Sequence, residues 1–269
     1  MVELYGFKSK GGSKRIIRAS DQYASENRHF GDFLIILSNM KYKWDVQKYR
    51  ELVERTTNLD LKKYIDSELD FIIDSVDDSS NKTFIEMGAG YGRAIPKLST
   101  IARNFIAIEI NKDMFSGLDE IASKLDNVST ISGDGSFLSN LLNDLDINEP
   151  VIMSLQNSLG TSEGDPNKIL SEMFQVASNN NGEVIISLFT QEGLKRVGLS
   201  IYDSVSGLTG KPDLFKINFG KGDFISQTGY KSHWWRREEI DNIIKMSNGI
   251  LLNELKEEYF YILHIGFKK

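Results

Sequence analysis

The sequence of 269 residues contains no cysteine. This absence excludes disulfides, thiolate-ligated zinc, iron–sulfur clusters and a cysteine nucleophile. No stretch approaches the roughly 18 consecutive apolar residues of a membrane-spanning helix, so none is predicted. Basic residues are also few, 32 against 38 acidic ones, which gives a formal net charge of −6. Because a general nucleic-acid binder carries a basic surface, this balance argues against a DNA-binding protein.

The composition that is present is typical of a soluble globular protein. Hydrophobic residues make up 40% and charged residues 26% of the chain, which is enough to bury a full core. The first residues show no charged-then-apolar signal pattern, and we therefore expect a cytoplasmic protein. The length favours one large domain with additional segments.

Alternation of helical and strand-like segments predicts an α/β architecture from residue 83 onwards. Short apolar runs that alternate with helices are typical of strands buried on both faces of a parallel sheet. Two final runs are too close in sequence for a helical crossover, so they are expected to pair antiparallel. We therefore predict a doubly wound, mostly parallel sheet of seven strands. The predicted strands are Thr83–Met87, Phe105–Ile110, Val128–Ser132, Val151–Gln156, Val184–Phe189, Ile250–Glu257 and Tyr259–Phe267.

Further segments are expected around this sheet. Apolar residues that recur at three- and four-residue steps from Leu61 to Val76 predict a helix. The stretch after the fifth strand is long, and a long excursion is usually functional, so we predict a lid with a hairpin between Lys216–Phe219 and Asp223–Thr228. The predicted units are a flexible basic arm over 1–20, a helical cap over 21–80, a cofactor-binding core over 81–189, a lid or substrate-cap insertion over 190–235, and a C-terminal helix and strand pair over 236–269.

The most informative segment is the turn after the first predicted strand, Glu86-Met-Gly-Ala-Gly-Tyr-Gly-Arg93. Glycines there let the backbone bend sharply and approach a ligand closely, and open α/β sheets bind nucleotide-type ligands at this end of a strand. The dinucleotide fingerprint G-x-G-x-x-G/A does not fit, because Arg93 stands where a small residue is required. Glu86 is a poor neighbour for an anionic pyrophosphate and suits a cation.

Two more acids follow the next two predicted strands. Glu109 ends the second strand about twenty residues after the first glycine, where a carboxylate can accept hydrogen bonds from both hydroxyls of a ribose. Asp134 lies in a tight turn after the third strand, where it also suits the N-cap of a helix. Because parallel strands end at the same edge of a sheet, the three acids are expected to lie close together.

These residues resemble the motifs of the class I S-adenosylmethionine-dependent methyltransferases over residues 83–189, and the C-terminal strand pair fits their topology. The resemblance implies that S-adenosylmethionine is the cofactor, with the glycine turn around its methionine part and Glu109 on its ribose. Ser232–Ile240 is similar to the entry to the family's penultimate helix. The cofactor-binding residues that the resemblance implies are Glu86, Gly88, Ala89, Gly90, Gly92, Arg93, Glu109, Ile110, Asp134, Gly135, Gln156 and Asn157.

The acceptor is defined less well than the cofactor. The D/N-P-P-Y signature of enzymes that methylate amino groups of nucleobases or protein glutamine is absent, whereas Asn157-Ser158 followed by Glu172-Met173 resembles small-molecule members. We therefore predict in-line transfer of a methyl group to a small-molecule acceptor. Three alternatives stay open: an RNA or protein methyltransferase that uses the basic arm, a nucleotide-cofactor oxidoreductase, and a catalytically silent cofactor-binding protein.

The sequence assigns no catalytic residue and no oligomeric state. Candidates for a general base near the expected mouth are Tyr23, Asn157, Tyr202 and His233, and a base is required only if the acceptor arrives protonated. The three histidines show no metal-binding spacing, so no metal site is predicted.

Overall fold

The computed structural model describes residues 3–7, 15–18, 45–162 and 164–267. Nine strands form one sheet, in the order β10-β11-β7-β6-β3-β4-β5-β1-β2, and β8 and β9 form a separate pair. In chain order the strands are β1 Glu3–Phe7, β2 Arg15–Arg18, β3 Thr83–Met87, β4 Asn104–Glu109, β5 Val128–Ser132, β6 Val151–Ser154, β7 Glu183–Phe189, β8 Asp223–Ile225, β9 Lys231–His233, β10 Ile250–Lys256 and β11 Phe260–Gly266.

Seven adjacent strands of this sheet, β10-β11-β7-β6-β3-β4-β5, confirm the predicted doubly wound sheet. Strands β3 to β7 are parallel, and β11 lies antiparallel between β7 and β10. Every residue of β3 and β6 is buried, as expected of central parallel strands with apolar side chains on both faces. The chain leaves β3 in one direction through β4 and β5 and returns to its other side at β6. This change of direction opens a crevice at the carboxyl end of β3, where such sheets bind ligands.

Helices cover both faces of the sheet and enclose one apolar cluster on each side. They are α1 Val46–Glu54, α2 Leu59–Ser75, α3 Ile95–Leu98, α4 Lys112–Ala122, α5 Leu138–Leu142, α6 Ser158–Thr161, α7 Pro166–Asn179, α8 Gln191–Gly193, α9 Leu199–Ser204, α10 Ser206–Thr209 and α11 Arg237–Ser247. A π-helical turn, Leu194–Gly198, joins α8 to α9. Within the described ranges, no helix has the length and apolar character needed to cross a membrane.

Helix α2 is the predicted helix of the N-terminal cap. It begins after Asn58, whose side-chain oxygen accepts a hydrogen bond from the backbone N–H of Leu61 at 2.9 Å. Such a cap satisfies one of the free N–H groups of the first turn. The buried face of α2 carries Tyr64 and Ile72, and it packs against the end of the sheet where β7 and β11 lie.

The described N-terminal residues differ from the predicted flexible arm. Strand β1 pairs antiparallel with β2 and also extends the sheet beyond β5, with Leu4 opposite Ile131 and Tyr5 opposite Thr130. The prediction relied on the content of glycine, serine and lysine and overlooked two short runs of β-forming residues. The first of these runs forms a strand that hydrogen-bonds to the otherwise open edge of β5. The remaining residues of 1–20 lie outside the described residues, as do residues 21–44 of the predicted cap, which include Tyr23.

The predicted hairpin of the insertion has the wrong partner. Strand β8 pairs with β9, whereas Lys216–Phe219 contributes a single bridge between Asn218 and Asp223. Gly229 makes the reversal possible with a φ of 86°, a conformation that glycine adopts without strain. The two glycines at 220 and 222 suggested a turn in the sequence, but Gly222 instead allows the backbone of Trp234 to approach, and its carbonyl accepts from Trp234 N at 2.7 Å.

Candidate functional site

A cavity of about 1170 Å³ lies at the carboxyl ends of the central strands. Its volume exceeds the range of about 300–1,000 Å³ that is common for single small ligands, so it is larger than one small ligand requires. We call one side the sheet half, because the turns that follow β3, β4 and β5 line it. The other side is the insertion half, which Phe189 and residues between 201 and 233 line.

The glycine turn after β3 forms the floor of the sheet half. Gly88, Gly90 and Gly92 have φ values of 69°, 57° and 88°, the left-handed conformation that favours glycine. Backbone N–H groups of Gly88 and Ala89 donate to the Ile108 carbonyl at 2.9 and 3.0 Å, which ties the turn to β4. A Cβ atom on Gly90 would have no neighbour within 4 Å, so this position faces the open cavity. Gly92 instead packs against Ile95 and Leu118, and α3 begins only at Ile95.

Glu109 ends β4 with both carboxylate oxygens fixed by the backbone. Its Oε2 accepts from Gly90 N at 2.8 Å, and its Oε1 accepts from Asn111 N at 2.7 Å. The residue is 6% exposed, and burial raises its pKa although the backbone hydrogen bonds oppose this shift. Each oxygen keeps a lone pair, so the carboxylate can still accept hydrogen bonds from a ligand that carries two neighbouring hydroxyls.

Glu86, at the end of β3, is 5% exposed and lines the same half. Its Oε2 has no hydrogen-bond partner among the described residues. Burial raises the pKa of Glu86 to about 8; the charges of Glu68 and Glu109 add to the shift and that of Arg93 opposes it. A buried acceptor of this kind lacks a donor, and a cationic ligand group would supply one while favouring the ionised form.

Arg93 has a different environment from the one expected for a cofactor ligand. Its guanidinium forms a buried ion pair with Glu68 of α2 and donates to the Ile65 carbonyl at 3.4 Å. Glu68 is completely buried, and its carboxylate also accepts from Gln156 N and from the Ser187 hydroxyl. The pair therefore fastens the helical cap to the glycine turn and to the end of β6.

Sequence reasoning missed Glu68, although a signal was present. It lies seven residues after Leu61 on the stripe that the helix buries, where a charged side chain is rare unless it is paired. A carboxylate on an apolar helix face predicts a buried partner, but the sequence gives no means of identifying Arg93 as that partner.

Ile110, Asp134 and Gly135, which the resemblance implies as cofactor-binding residues, line the sheet half. The Asp134 side chain accepts from Ser136 N at 2.8 Å, so it also caps the short 3₁₀ turn Gly135–Phe137. Asp134 can therefore both cap this turn and bind a ligand, because the cap uses only one of its two carboxylate oxygens.

Gln156 and Asn157 follow β6 and both have left-handed backbone conformations, with φ of 53° and 56°. The Asn157 side chain is 1% exposed and its amide is fully engaged. Its Nδ2 donates to the His233 carbonyl at 3.1 Å, and its Oδ1 accepts from Trp235 Nε1 at 3.0 Å and from Phe189 N at 3.3 Å. Asn157 therefore joins the core to the insertion, and only its backbone is available to a ligand.

Aromatic rings form much of the insertion half, and their chain positions gave no sign of this grouping. Tyr202 stacks on Phe224 with ring centroids 3.7 Å apart, and Tyr230 lies 6.1 and 6.4 Å from these two rings. Phe189 stacks on Trp234 at 4.2 Å behind them. The predicted insertion thus supplies one wall of the cavity.

The candidate general bases within the described residues are already hydrogen-bonded. His233 Nδ1 lies 2.9 Å from Asp223 Oδ1, and its Nε2 lies 3.2 Å from Glu239 Oε2. The Tyr202 hydroxyl accepts from Trp234 Nε1 at 2.9 Å, and burial raises the pKa of Tyr202 to about 12. Both ring nitrogens of His233 and the Tyr202 hydroxyl are therefore engaged by other residues of the protein. In the part of the chain that is described, no three His, Asp or Glu side chains gather as a metal site would require.

Solved methyltransferases share this architecture. Magnesium protoporphyrin IX methyltransferase from Synechocystis, determined with bound S-adenosylmethionine, aligns with a TM-score of 0.54 at 10% identity over 87% of this chain and 96% of that one. An S-adenosylmethionine-dependent methyltransferase from Aquifex aeolicus gives 0.53 at 14% identity, over 84% and 100%. One from Clostridium acetobutylicum gives 0.52 at 14% identity, over 89% and 99%.

No family model and no curated protein matches the sequence. The structural likeness nevertheless identifies the architecture, because each of these alignments covers most of this chain and nearly all of the other one. The chain has the fold of the class I S-adenosylmethionine-dependent methyltransferases.

Proposed function

We propose that this protein is an S-adenosylmethionine-dependent methyltransferase that acts on a small-molecule acceptor. The observation that carries the proposal is the pair of buried acids at the ends of neighbouring strands, Glu86 with an unpartnered oxygen and Glu109 with both oxygens aligned by the backbone. One suits an ammonium group and the other suits a pair of ribose hydroxyls. The glycine turn between them leaves open space for the ligand.

When bound, S-adenosylmethionine supplies a methyl group that is already activated by its sulfonium. The residues of this chain therefore need to hold the two reactants in line and exclude water. Glu86 and Glu109, with Asp134 beside the third strand, would hold the cofactor in the sheet half. The insertion half, lined by Phe224 and its neighbours, would hold the acceptor, and a pocket of this kind suits a small molecule.

Calorimetric titration of the purified protein with S-adenosylmethionine and with NAD tests the cofactor. We expect binding of the first and none of the second, because Arg93 occupies the position where a dinucleotide site requires a small residue. A screen of metabolite pools with a labelled methyl group then tests turnover. Binding of NAD alone would overturn the proposal, and label transferred only to RNA or protein would overturn the small-molecule acceptor.

A further inference from the structure

The insertion half of the cavity differs from the sheet half in the chemistry of its lining. Beside the rings of Phe189, Tyr202, Phe224 and Tyr230, it is lined by four aliphatic side chains and by several polar and charged ones. The aliphatic side chains that line it are Ile201, Val205, Leu208 and Ile225. Apolar and aromatic surface of this kind stabilises a ligand by removing similar surface from water.

Polar side chains in this half are already satisfied by the protein. The Thr228 hydroxyl donates to the Thr209 carbonyl at 2.5 Å, and the Thr209 hydroxyl donates to the Gly210 carbonyl at 3.2 Å. The Tyr202 hydroxyl is held by Trp234, as described above. A ligand would therefore find few free donors here among the described residues, and hydrogen bonding would contribute little to its recognition.

Charged groups in the insertion half are paired or exposed. Asp223 and His233 bind each other, while Lys231 is exposed at the start of β9. Arg93 is committed to Glu68 on the other side. Lys231 also lines the cavity but is exposed, and among the described residues no buried unpaired cation faces the aromatic wall. A carboxylate or phosphate inserted among the rings would therefore lose its hydration without a buried cation to replace it.

We propose that the insertion half receives an acceptor whose inserted part is a ring system without negative charge. This inference rests on the proposed function for its meaning as an acceptor site, but the binding preference itself is measurable without turnover. The rings of Tyr202 and Tyr230 are tilted by 59° to one another, so the wall presents ring surfaces in two different orientations to such a ring.

Two probes of similar size test the preference: naphthol, which is uncharged at neutral pH, and naphthoate, a carboxylate. Dissociation constants are measured by ligand-observed NMR on the full chain, with S-adenosylhomocysteine present at saturation. We expect naphthol to bind at least about tenfold more tightly than naphthoate, because only the second loses the hydration of a charge. Equal affinities, or tighter binding of naphthoate, would overturn the proposal.

Two substitutions in the insertion test where naphthol binds. Tyr230→Leu should weaken naphthol binding by roughly three- to tenfold through loss of ring contacts, while leaving the affinity for S-adenosylhomocysteine unchanged. Phe215→Leu is the matched control, since Phe215 belongs to the same insertion but is fully exposed. Naphthol binding that is insensitive to Tyr230→Leu, or equally sensitive to Phe215→Leu, would contradict the assignment.

A charge introduced into the wall should reverse the preference. Leu208 is half-buried and lines the cavity, so Leu208→Lys is expected to fold and to make naphthoate the tighter ligand. No reversal in a folded variant that still binds S-adenosylhomocysteine would place the probes elsewhere. The proposed function fails separately, if the wild-type protein binds neither S-adenosylmethionine nor S-adenosylhomocysteine.

Discussion

The two halves of the cavity are built in different ways. Three short turns that each follow a parallel strand form the sheet half, and two of its acids, Glu109 and Asp134, are fixed by backbone N–H groups within a few residues of a strand end. The insertion half is assembled from Phe189 and from residues spread over 201–233, which meet only through tertiary packing. Local backbone geometry therefore determines the first half, and side-chain packing determines the second. The two should respond to different substitutions.

The largest effect is expected from Gly90→Val in the sheet half. Gly90 has a φ of 57°, which a β-branched residue adopts only with strain, and its side chain would project into the open cavity. We expect S-adenosylmethionine binding to fall by more than about a hundredfold, roughly 3 kcal/mol or more. Calorimetry measures the loss. The control is Gly220→Val, at an exposed position without positive φ, and equal losses in both variants would refute the cofactor site.

Glu109→Gln should have the next largest effect. The amide retains one acceptor oxygen, but its NH₂ group would face a backbone N–H of Gly90 or Asn111. Hydrogen bonds to a charged group contribute about 1.5–3 kcal/mol, so affinity for both S-adenosylmethionine and S-adenosylhomocysteine should fall roughly ten- to hundredfold. The exposed Glu120 provides the matched control as Glu120→Gln. Unchanged affinity in Glu109→Gln would mean that β4 does not hold the ribose.

The raised pKa of Glu86 predicts that S-adenosylmethionine binding in the sheet half depends on pH. Its raised pKa, about 8, means that the carboxyl is mostly protonated at neutral pH in the unliganded protein. A bound ammonium favours the ionised form, so S-adenosylmethionine affinity should rise as pH increases from about 6 to about 8, by up to about tenfold per pH unit. Titrations in buffers of different ionisation enthalpy report the released proton. A pH profile that is the same in Glu86→Gln would contradict this assignment.

The same group affects stability with a defined sign. Between its ordinary value of 4.5 and about 8, the folded protein binds more protons at Glu86 than the unfolded chain does. The contribution of Glu86 to the free energy of unfolding therefore falls as pH rises through this window, and Glu86→Gln should remove that part of the slope. Urea denaturation at several pH values measures it.

The smallest effect on cofactor binding is expected from the insertion half. Tyr202→Phe leaves the Trp234 indole N–H buried without its acceptor, which should lower the free energy of unfolding by about 1–3 kcal/mol. S-adenosylmethionine affinity should stay within about twofold, because no atom of Tyr202 belongs to the sheet half. Tyr261→Phe is the control, since its partner Arg237 is half-exposed and keeps access to water. A large loss of cofactor affinity in Tyr202→Phe would contradict the prediction that the insertion half does not contribute to cofactor binding.

Periodicity and turn chemistry predicted the sheet because both are local. Thr83–Met87 and Val128–Ser132 have the bounds that their apolar runs indicated, and the C-terminal pair followed from its short connection. The positive φ values at Gly88, Gly90 and Gly92 were implied by residue type alone. These features depend on neighbours within a few residues.

Pairings across long sequence separations were not predictable in the same way. Glu68 and Arg93 are 25 residues apart, and Tyr202 meets Trp234 across 32 residues. A carboxylate at a buried helical position signals that a partner exists, but the choice of partner depends on how α2 packs on the sheet. The hairpin error has the same origin, because β8 pairs with β9 instead of the nearer Lys216–Phe219, and Trp234 after β9 donates to the Gly222 carbonyl before β8.

The amide of Asn157 has a consequence for protein engineering. Because its hydrogen bonds reach His233, Trp235 and Phe189 together, this one side chain fixes the alignment of the insertion on the sheet. A library that varies Leu208, Ile225 or Tyr230 can therefore be screened for new acceptors on an unchanged scaffold. An insertion taken from another protein must, by contrast, place a backbone carbonyl and an indole N–H where they can hydrogen-bond to the Asn157 amide. Without these two groups, this side chain cannot fix the position of the insertion on the sheet.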